Sequence, residues 1–143
     1  MSHAAHEYEL ARVLLVDDDP ASRLTLKTVL EASGYNVDSA ASAAEAVGKL
    51  DEGEYELVLS DLQMESPEAG RRVLAYAKMM DYKPATAFLT TYENARPNLP
   101  RRENSMFIKP VDIPGLLSKV ADLISERATR RLQRELRLAG VGV

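Results

Sequence analysis

The chain has 143 residues, an apolar fraction of 45% and a formal net charge of −4 at pH 7, which suit one globular domain with one core. The absence of cysteine excludes disulfides, thiolate metal sites and thiol catalysis. No apolar run reaches the roughly 20 residues that a bilayer span needs, no signal-peptide pattern opens the chain, and the acidic balance argues against nucleic acid as a partner of the domain. We therefore expect a cytoplasmic protein without a membrane partner.

Short apolar segments alternate with amphipathic ones over the first two thirds of the chain, which indicates successive strand–helix units. In chain order they predict a strand at Arg12–Val16, a helix from Pro20 to Gly34, a strand at 35–40, a helix from 42 to about 50, a strand at 57–60, a helix over about 71–80 and a strand at Ala85–Leu89. Asp19 before Pro20 predicts an N-cap. Ser42 with Glu45 predicts a capping box.

The last third is less regular. Segment 91–105 contains Pro97 and Pro100, which disfavour a regular helix. Met106–Ile108 predicts a fifth short strand, and an amphipathic helix follows from about 114 to 138. Strands that alternate with helices indicate an α/β fold, with a parallel sheet and helices on both of its faces.

Polar side chains follow four of these strands at their carboxyl ends, where the ligands of such sheets bind. They are Asp17 and Asp18 after the first strand, Asp61 after the third, Thr90 after the fourth and Lys109 after the fifth. Three adjacent carboxylates repel one another, and a hard divalent cation such as Mg²⁺ relieves that repulsion. A carboxylate beside the ion can act as a nucleophile and accept a phosphoryl group.

In this order and spacing, these residues resemble the receiver domain of bacterial two-component response regulators. Asp61 lies 43 residues after Asp18, Thr90 lies 29 residues later, and Lys109, followed by Pro110, lies 19 residues beyond that. The resemblance covers about 12–124. It implies a flavodoxin-like three-layer sandwich, in which a five-stranded parallel sheet in the order 2-1-3-4-5 has helices on both faces.

The resemblance also implies a role for each residue. Asp61 is the phosphoacceptor of a histidine kinase or phosphotransfer protein, and phosphorylation switches an interaction with a downstream protein. Thr90 and Lys109 bind the phosphoryl group, and the peptide bond before Pro110 is cis. The implied ligands of Mg²⁺, or of Mn²⁺ in its place, are all oxygen donors: Asp17, Asp18, Asp61 and the main-chain carbonyl of Gln63.

The sequence departs from the family pattern in three places. In the loop after Asp61, Glu65 replaces the usual proline, and the usual glycine comes one position late, at Gly70. Two prolines interrupt segment 91–105, which holds the fourth helix in the family. Met106 occupies a switch position that is usually Tyr or Phe, and methionine offers no ring or phenol hydroxyl. We therefore expect the phosphorylation chemistry to be retained and its readout to be altered.

The expected organisation is a flexible N-terminus at 1–10, a receiver domain at 11–124 and a basic helical extension at 125–143. The extension carries five arginines and two glutamates. One interpretation is a partly frayed helix or a linker. A second is a helix that forms a homodimer through Leu132 and Leu136. A basic contact with nucleic acid or anionic lipid is a third, which no motif supports.

Two other functions stay open on the sequence alone. A pseudo-receiver would act as a phosphorylation-independent interaction scaffold. Met106 and the interrupted segment 91–105 support this alternative. A haloacid-dehalogenase-like phosphatase would use Asp17 as its nucleophile, because Asp17 and Asp19 form an Asp-x-Asp pair after a strand. It would need a further acidic pair after Lys109, where only Asp112 lies nearby. The leading hypothesis is a phosphoacceptor regulator and not a turnover enzyme.

Overall fold

A computed structural model of the chain describes residues 10–62, 64–89, 106–108 and 112–140. Within them, strands alternate with helices up to β4, as the sequence predicts. The strands are β1 (Arg12–Val16), β2 (Asn36–Ala40), β3 (Leu57–Asp61), β4 (Ala85–Leu89) and β5 (Met106–Ile108). The helices are α1 (Pro20–Ala32), α2 (Ala43–Glu52), α3 (Ala69–Lys78) and α4 (Ile113–Leu138).

The strands form a parallel sheet in which β1 lies between β2 and β3, and β4 lies outside β3. Val13 of β1, for example, aligns with Val37 on one side and with Leu57 on the other. The order β2-β1-β3-β4 confirms the predicted flavodoxin-like arrangement for these strands. The three residues of β5 pair in parallel with β4, with Phe107 aligned to Phe88.

The core has two layers, one on each face of the sheet, because successive residues of a strand point to opposite faces. Val13 and Leu15 pack on one face, with α1 and the first half of α4. Leu14 and Val16 pack on the other face, with α2 and α3. All four side chains are fully buried, which explains why β1 is apolar throughout instead of alternating.

The predicted helix starts at Asp19 and Ser42 are confirmed. The Asp19 carboxylate accepts a hydrogen bond from Ser22 N at 2.8 Å. The Ser42 hydroxyl accepts one from Glu45 N at 3.1 Å, and the Glu45 carboxylate accepts one from Ala41 N at 2.8 Å. The return bond of the predicted capping box therefore reaches one residue farther back than the usual N-cap amide.

The amino edge of the sheet, where its strands begin, has two groups of side chains that the sequence did not reveal. In the first, Asp38 accepts hydrogen bonds from the Arg12 guanidinium at 2.8 Å and from the Tyr55 hydroxyl at 2.7 Å. Arg12 also lies over the Tyr55 ring, 4.7 Å from its centre, a cation–π contact. The hydrogen bond from Tyr55, followed by that from Arg12, holds the pKa of Asp38 below its ordinary value.

The second group is the Arg127 clasp, by which α4 holds the loop between α3 and β4. Arg127 is 7% exposed and donates to the carbonyls of Lys83, at 2.9 Å, and Tyr82. Burial lowers the pKa of the Arg127 guanidinium from its ordinary value.

The predicted long terminal helix is confirmed, and its contacts with the core extend at least as far as Arg127. No helix among residues 10–62, 64–89 and 112–140 is both long enough and apolar enough to cross a membrane.

Candidate metal and phosphoacceptor site

Three carboxylates meet at the carboxyl edge of the sheet, where its strands end. Asp17 and Asp18 follow β1, and Asp61 is the last residue of β3. One carboxylate oxygen from each lies within 4.8 Å of the other two. Asp17 is 4% exposed, Asp61 is half-buried and Asp18 is exposed. The structure therefore brings together the three carboxylates that the strand ends predicted.

Backbone contacts hold Asp17 in this buried position. Its amide donates to the carbonyl of Ala40 at 3.1 Å, which continues the pairing of β1 with β2 by one residue. Its carboxylate accepts a hydrogen bond from Asp19 N at 3.0 Å, and its carbonyl accepts one from Arg23 Nη1 at 2.8 Å. Buried polar groups require such partners. The two backbone bonds fix the main chain of Asp17, and the bond from Asp19 N orients its carboxylate.

Gly70 lets α3 approach the end of β3. A Cβ atom at this position would lie 2.4 Å from the carbonyl oxygen of Asp61 and 2.9 Å from that of Leu62. Both neighbours are backbone atoms, and Leu62 N is bonded to the carbonyl of Leu89 at 3.0 Å. The sequence pattern predicts a helix over about 71–80, which would begin after this glycine. The structure begins the helix at Ala69, so that Gly70 lies in its first turn.

Glu65, which replaces the usual proline, connects the loop after Asp61 to α2. Its carboxylate accepts a hydrogen bond from Ala43 N, in the first turn of that helix, at 3.1 Å. A negative charge at a helix N-terminus is favourable, because the free amides and the helix dipole point toward it. The sequence shows that Glu65 departs from the family pattern, but it does not show which group this carboxylate contacts. This contact was missed because it joins residues 22 positions apart.

Several predicted site residues lie outside the part of the chain that the structure describes: Gln63, Thr90, Lys109 and Pro110. The metal-ligand role of Gln63, the phosphate contacts of Thr90 and Lys109, and the cis bond before Pro110 stay predictions. Segment 91–105, with its two prolines, is also outside. The backbone of Met106 begins β5 and aligns with Ala87. Its altered switch role is untested.

The three carboxylates fit a hard divalent cation. Magnesium prefers oxygen ligands and keeps several waters, and an accessible Asp18 beside a buried Asp17 leaves room for them. When bound, such an ion neutralises charge on a phosphoryl group. Asp61 would be one of the residues that hold the ion, and its carboxylate has the chemistry of a nucleophile.

Comparison with known proteins gives the same family over most of the chain. The family model "Response regulator receiver domain" matches residues 13–121. Transcriptional regulatory protein GlrR of Escherichia coli K12 is 30% identical over 121 residues, which are 82% of this chain and 27% of GlrR. Transcriptional regulatory protein PcoR of Escherichia coli is 24% identical over 80% of this chain and 52% of PcoR. The chain thus spans only about a quarter to a half of these relatives.

The solved structures that superpose on this chain include response regulator and receiver domain proteins, as the sequence relatives do. Response regulator protein TrrA of Thermotoga maritima, in complex with Mg²⁺-BeF, superposes with a TM-score of 0.69 and 30% identity, over 80% of this chain and 99% of TrrA. A CheY-like receiver domain protein of Methanospirillum hungatei superposes with a TM-score of 0.72 and 28% identity, over 85% of this chain and 99% of that protein.

Proposed function

The chain belongs to the response regulator receiver domain family, and on that premise we propose that it is a phosphoacceptor signalling module phosphorylated on Asp61. Receiver domains are signalling phosphoacceptors that bind Mg²⁺ through an acidic cluster and are phosphorylated by histidine kinases. For this chain, the proposed donor is a histidine kinase or a phosphotransfer protein. The proposed setting is the cytoplasm.

The observation that carries the proposal is the convergence of Asp17, Asp18 and Asp61 from two strand ends within 4.8 Å. The likeness to TrrA, whose structure holds Mg²⁺ with a beryllium fluoride group, supports the same chemistry here. We propose that the three carboxylates and the carbonyl of Gln63 hold Mg²⁺. Mn²⁺ has the same preference for oxygen ligands and is the proposed substitute.

The proposed transfer is a displacement at phosphorus. An oxygen of the Asp61 carboxylate forms a bond to phosphorus as the bond from phosphorus to the donor's imidazole nitrogen breaks, and that nitrogen leaves with its electron pair. The product is an acyl phosphate. Its charge would be stabilised by the Lys109 ammonium and the Thr90 hydroxyl, the roles that the family resemblance gives them.

We propose that the readout differs from that of a typical receiver. Met106 stands at the switch position, and Glu65 bonds the loop after Asp61 to α2. Methionine cannot make the hydrogen bond of a tyrosine hydroxyl, so that a different surface is expected to report phosphorylation to the downstream protein.

We also propose that Met106–Ile108 is the complete fifth strand of the sheet.

Acetyl phosphate with Mg²⁺, followed by intact-protein mass spectrometry, tests the phosphoacceptor role. The expected result is one added phosphate per chain, which is lost in Asp61→Asn and on chelation with EDTA. Asp19→Asn is the matched control, because it removes a neighbouring charge while asparagine still caps α1. This variant is expected to be phosphorylated like the wild type.

The site of the adduct separates the proposal from its alternatives. Peptide mapping should place the phosphate on Asp61, whereas a haloacid-dehalogenase-like phosphatase would carry it on Asp17. No adduct with acetyl phosphate or with a cognate kinase would contradict the proposal and favour the pseudo-receiver. Neither alternative is favoured by the relatives found.

The end of α4 supports a second, separable proposal, that two copies pair through this helix beyond the receiver unit at 11–124. Leu132 is 56% exposed and Leu136, one turn farther along the same face, is half-buried, which leaves an apolar stripe on a long helix. Light scattering should give a dimer for the full chain and a monomer for Leu132→Glu. Leu24→Glu, at an exposed leucine on α1, is the matched control and should stay dimeric. A monomeric wild type would contradict this pairing.

A further inference from the structure

A basic cleft opens at the amino edge of the sheet, on the opposite side of the molecule from the three carboxylates. It has a volume of about 460 Å³ and lies between α4 and the loop that joins α3 to β4. Two acidic side chains line it, against six basic ones: Lys78, Lys83, Arg127, Arg130, Arg131 and Arg134. This charge is the reverse of that of the chain as a whole, which is −4.

The floor of this basic cleft is held in place before any ligand binds. Arg127 donates to the backbone carbonyls of Lys83 and Tyr82, so that its side chain is fixed. Lys83 has a φ of 46°, an unfavourable conformation for a residue with a side chain. The Tyr82 hydroxyl donates to the carbonyl of Leu50 at 2.9 Å, which fixes the ring in the wall.

The rim of the basic cleft carries charge that its surroundings do not neutralise. Arg130 and Arg134 lie one turn apart on α4, both are exposed, and neither pairs with an acid among the residues described. Arg131 makes a loose ion pair with Glu135, at 3.4 Å. Like charges one turn apart on a helix repel. A bound anion would therefore stabilise this arrangement.

We propose that the basic cleft binds a small anion with adjacent phosphate groups, such as a diphosphate or the phosphate chain of a nucleotide. Guanidinium groups bind phosphate oxygens in pairs with matching geometry. The volume suits a small molecule. A long nucleic acid is disfavoured because the body of the protein is acidic and would repel it.

Isothermal titration calorimetry with pyrophosphate and with ATP tests this proposal. EDTA in the buffer removes Mg²⁺, so that the carboxyl edge contributes no metal-dependent binding. The test variant is Arg130→Glu with Arg134→Glu. The control is Arg72→Glu with Arg137→Glu, which changes the net charge equally at two exposed positions outside the cleft. Circular dichroism checks that all three proteins are folded.

The wild type should bind both probes, and each should displace the other. The cleft variant should lose at least about tenfold in affinity, since charge-assisted bonds to two arginines are removed, while the control should stay within about twofold. Absence of binding to the wild type, or an equal loss in both variants, would overturn the proposal. Binding of a single-stranded oligonucleotide without binding of pyrophosphate or ATP would overturn it in favour of nucleic acid.

Discussion

The two edges of the sheet use charged side chains in opposite ways. At the amino edge, unlike groups are paired: Asp38 bonds to Arg12 and Tyr55, and Arg127 bonds to two carbonyls. At the carboxyl edge, three like charges lie within 4.8 Å of one another. Pairing stabilises the folded chain, whereas crowded carboxylates disfavour it until a cation arrives. Groups paired for stability thus lie at the amino ends of the strands, beside the arginines of the basic cleft, and the carboxylate cluster lies at the carboxyl ends.

The largest expected effect comes from Gly70→Ala, which would disturb the carboxyl edge. The new methyl group would collide with the carbonyls of Asp61 and Leu62, and we expect a loss of roughly 2–3 kcal/mol in the free energy of unfolding. The yield of the phosphate adduct should fall as Asp61 is displaced.

Gly48→Ala is the matched control, because Gly48 lies in α2 with nothing within 4 Å of its would-be Cβ. It should raise stability by up to about 1 kcal/mol. Urea titrations of both variants provide the measurement. Equal stability changes at the two positions would show that the close approach of α3 to β3 is unimportant.

Arg127→Met would disturb the amino edge instead. The methionine keeps much of the apolar stem but leaves the Tyr82 and Lys83 carbonyls without their donor. We expect a loss of about 1.5–3 kcal/mol, measured by urea titration, with an unchanged adduct yield under native conditions. Arg130→Met, on the exposed side of the same helix, should change stability little. A lost adduct in folded Arg127→Met protein would show that the two edges are coupled.

Tyr55→Phe isolates one hydrogen bond of the amino edge. It removes the donor to Asp38 while keeping the buried ring, and the expected loss is about 1 kcal/mol by thermal or urea unfolding. Tyr76→Phe is the matched control, because the Tyr76 hydroxyl makes a bond of equal length, 2.7 Å, to Asp51 at the surface. Its unfolding midpoint should not change. If the unfolding midpoint of Tyr55→Phe equals that of Tyr76→Phe, the hydrogen bond from Tyr55 to Asp38 adds nothing to stability.

The smallest expected effect is the pH dependence from Asp38. Its pKa is lowered in the folded state by the bonds from Tyr55 and Arg12, so the unfolded chain takes up the proton first as the pH falls. The stabilisation is therefore present above about pH 4 and is lost as the pH falls through the folded-state pKa. After solvent screening it should be below about 1 kcal/mol. Asp38→Asn should have a flatter acid limb than the wild type, and an identical acid limb would contradict this assignment.

The strands and most helix limits could be predicted from the sequence because their signals are local. β1 is an unbroken apolar run, and Asp19 caps α1 as its position before Pro20 indicates. The three carboxylates were predictable because parallel strands end at a common edge. The family resemblance then gave each carboxylate an expected role.

The contacts that could not be predicted join distant parts of the chain. Arg127 and Lys83 are 44 residues apart, Arg12 and Asp38 are 26 apart, and no periodicity connects them. The start of α3 was misplaced for a related reason: glycine usually interrupts a helix, but here close packing against Asp61 requires it. Tertiary contacts overrode local propensity at these positions.

The Arg127 clasp has a mechanical consequence for α4. The helix begins just after Asp112, three residues from Lys109, and ends at Leu138. Arg127 divides it into arms of about 21 Å and 17 Å, at 1.5 Å per residue. The buried side chains Leu116, Val120 and Leu123 hold the first arm on the sheet, and the clasp holds the helix at the end of that arm. The second arm therefore starts from a fixed point and a fixed direction, which sets where the exposed Leu132 and Leu138 are presented.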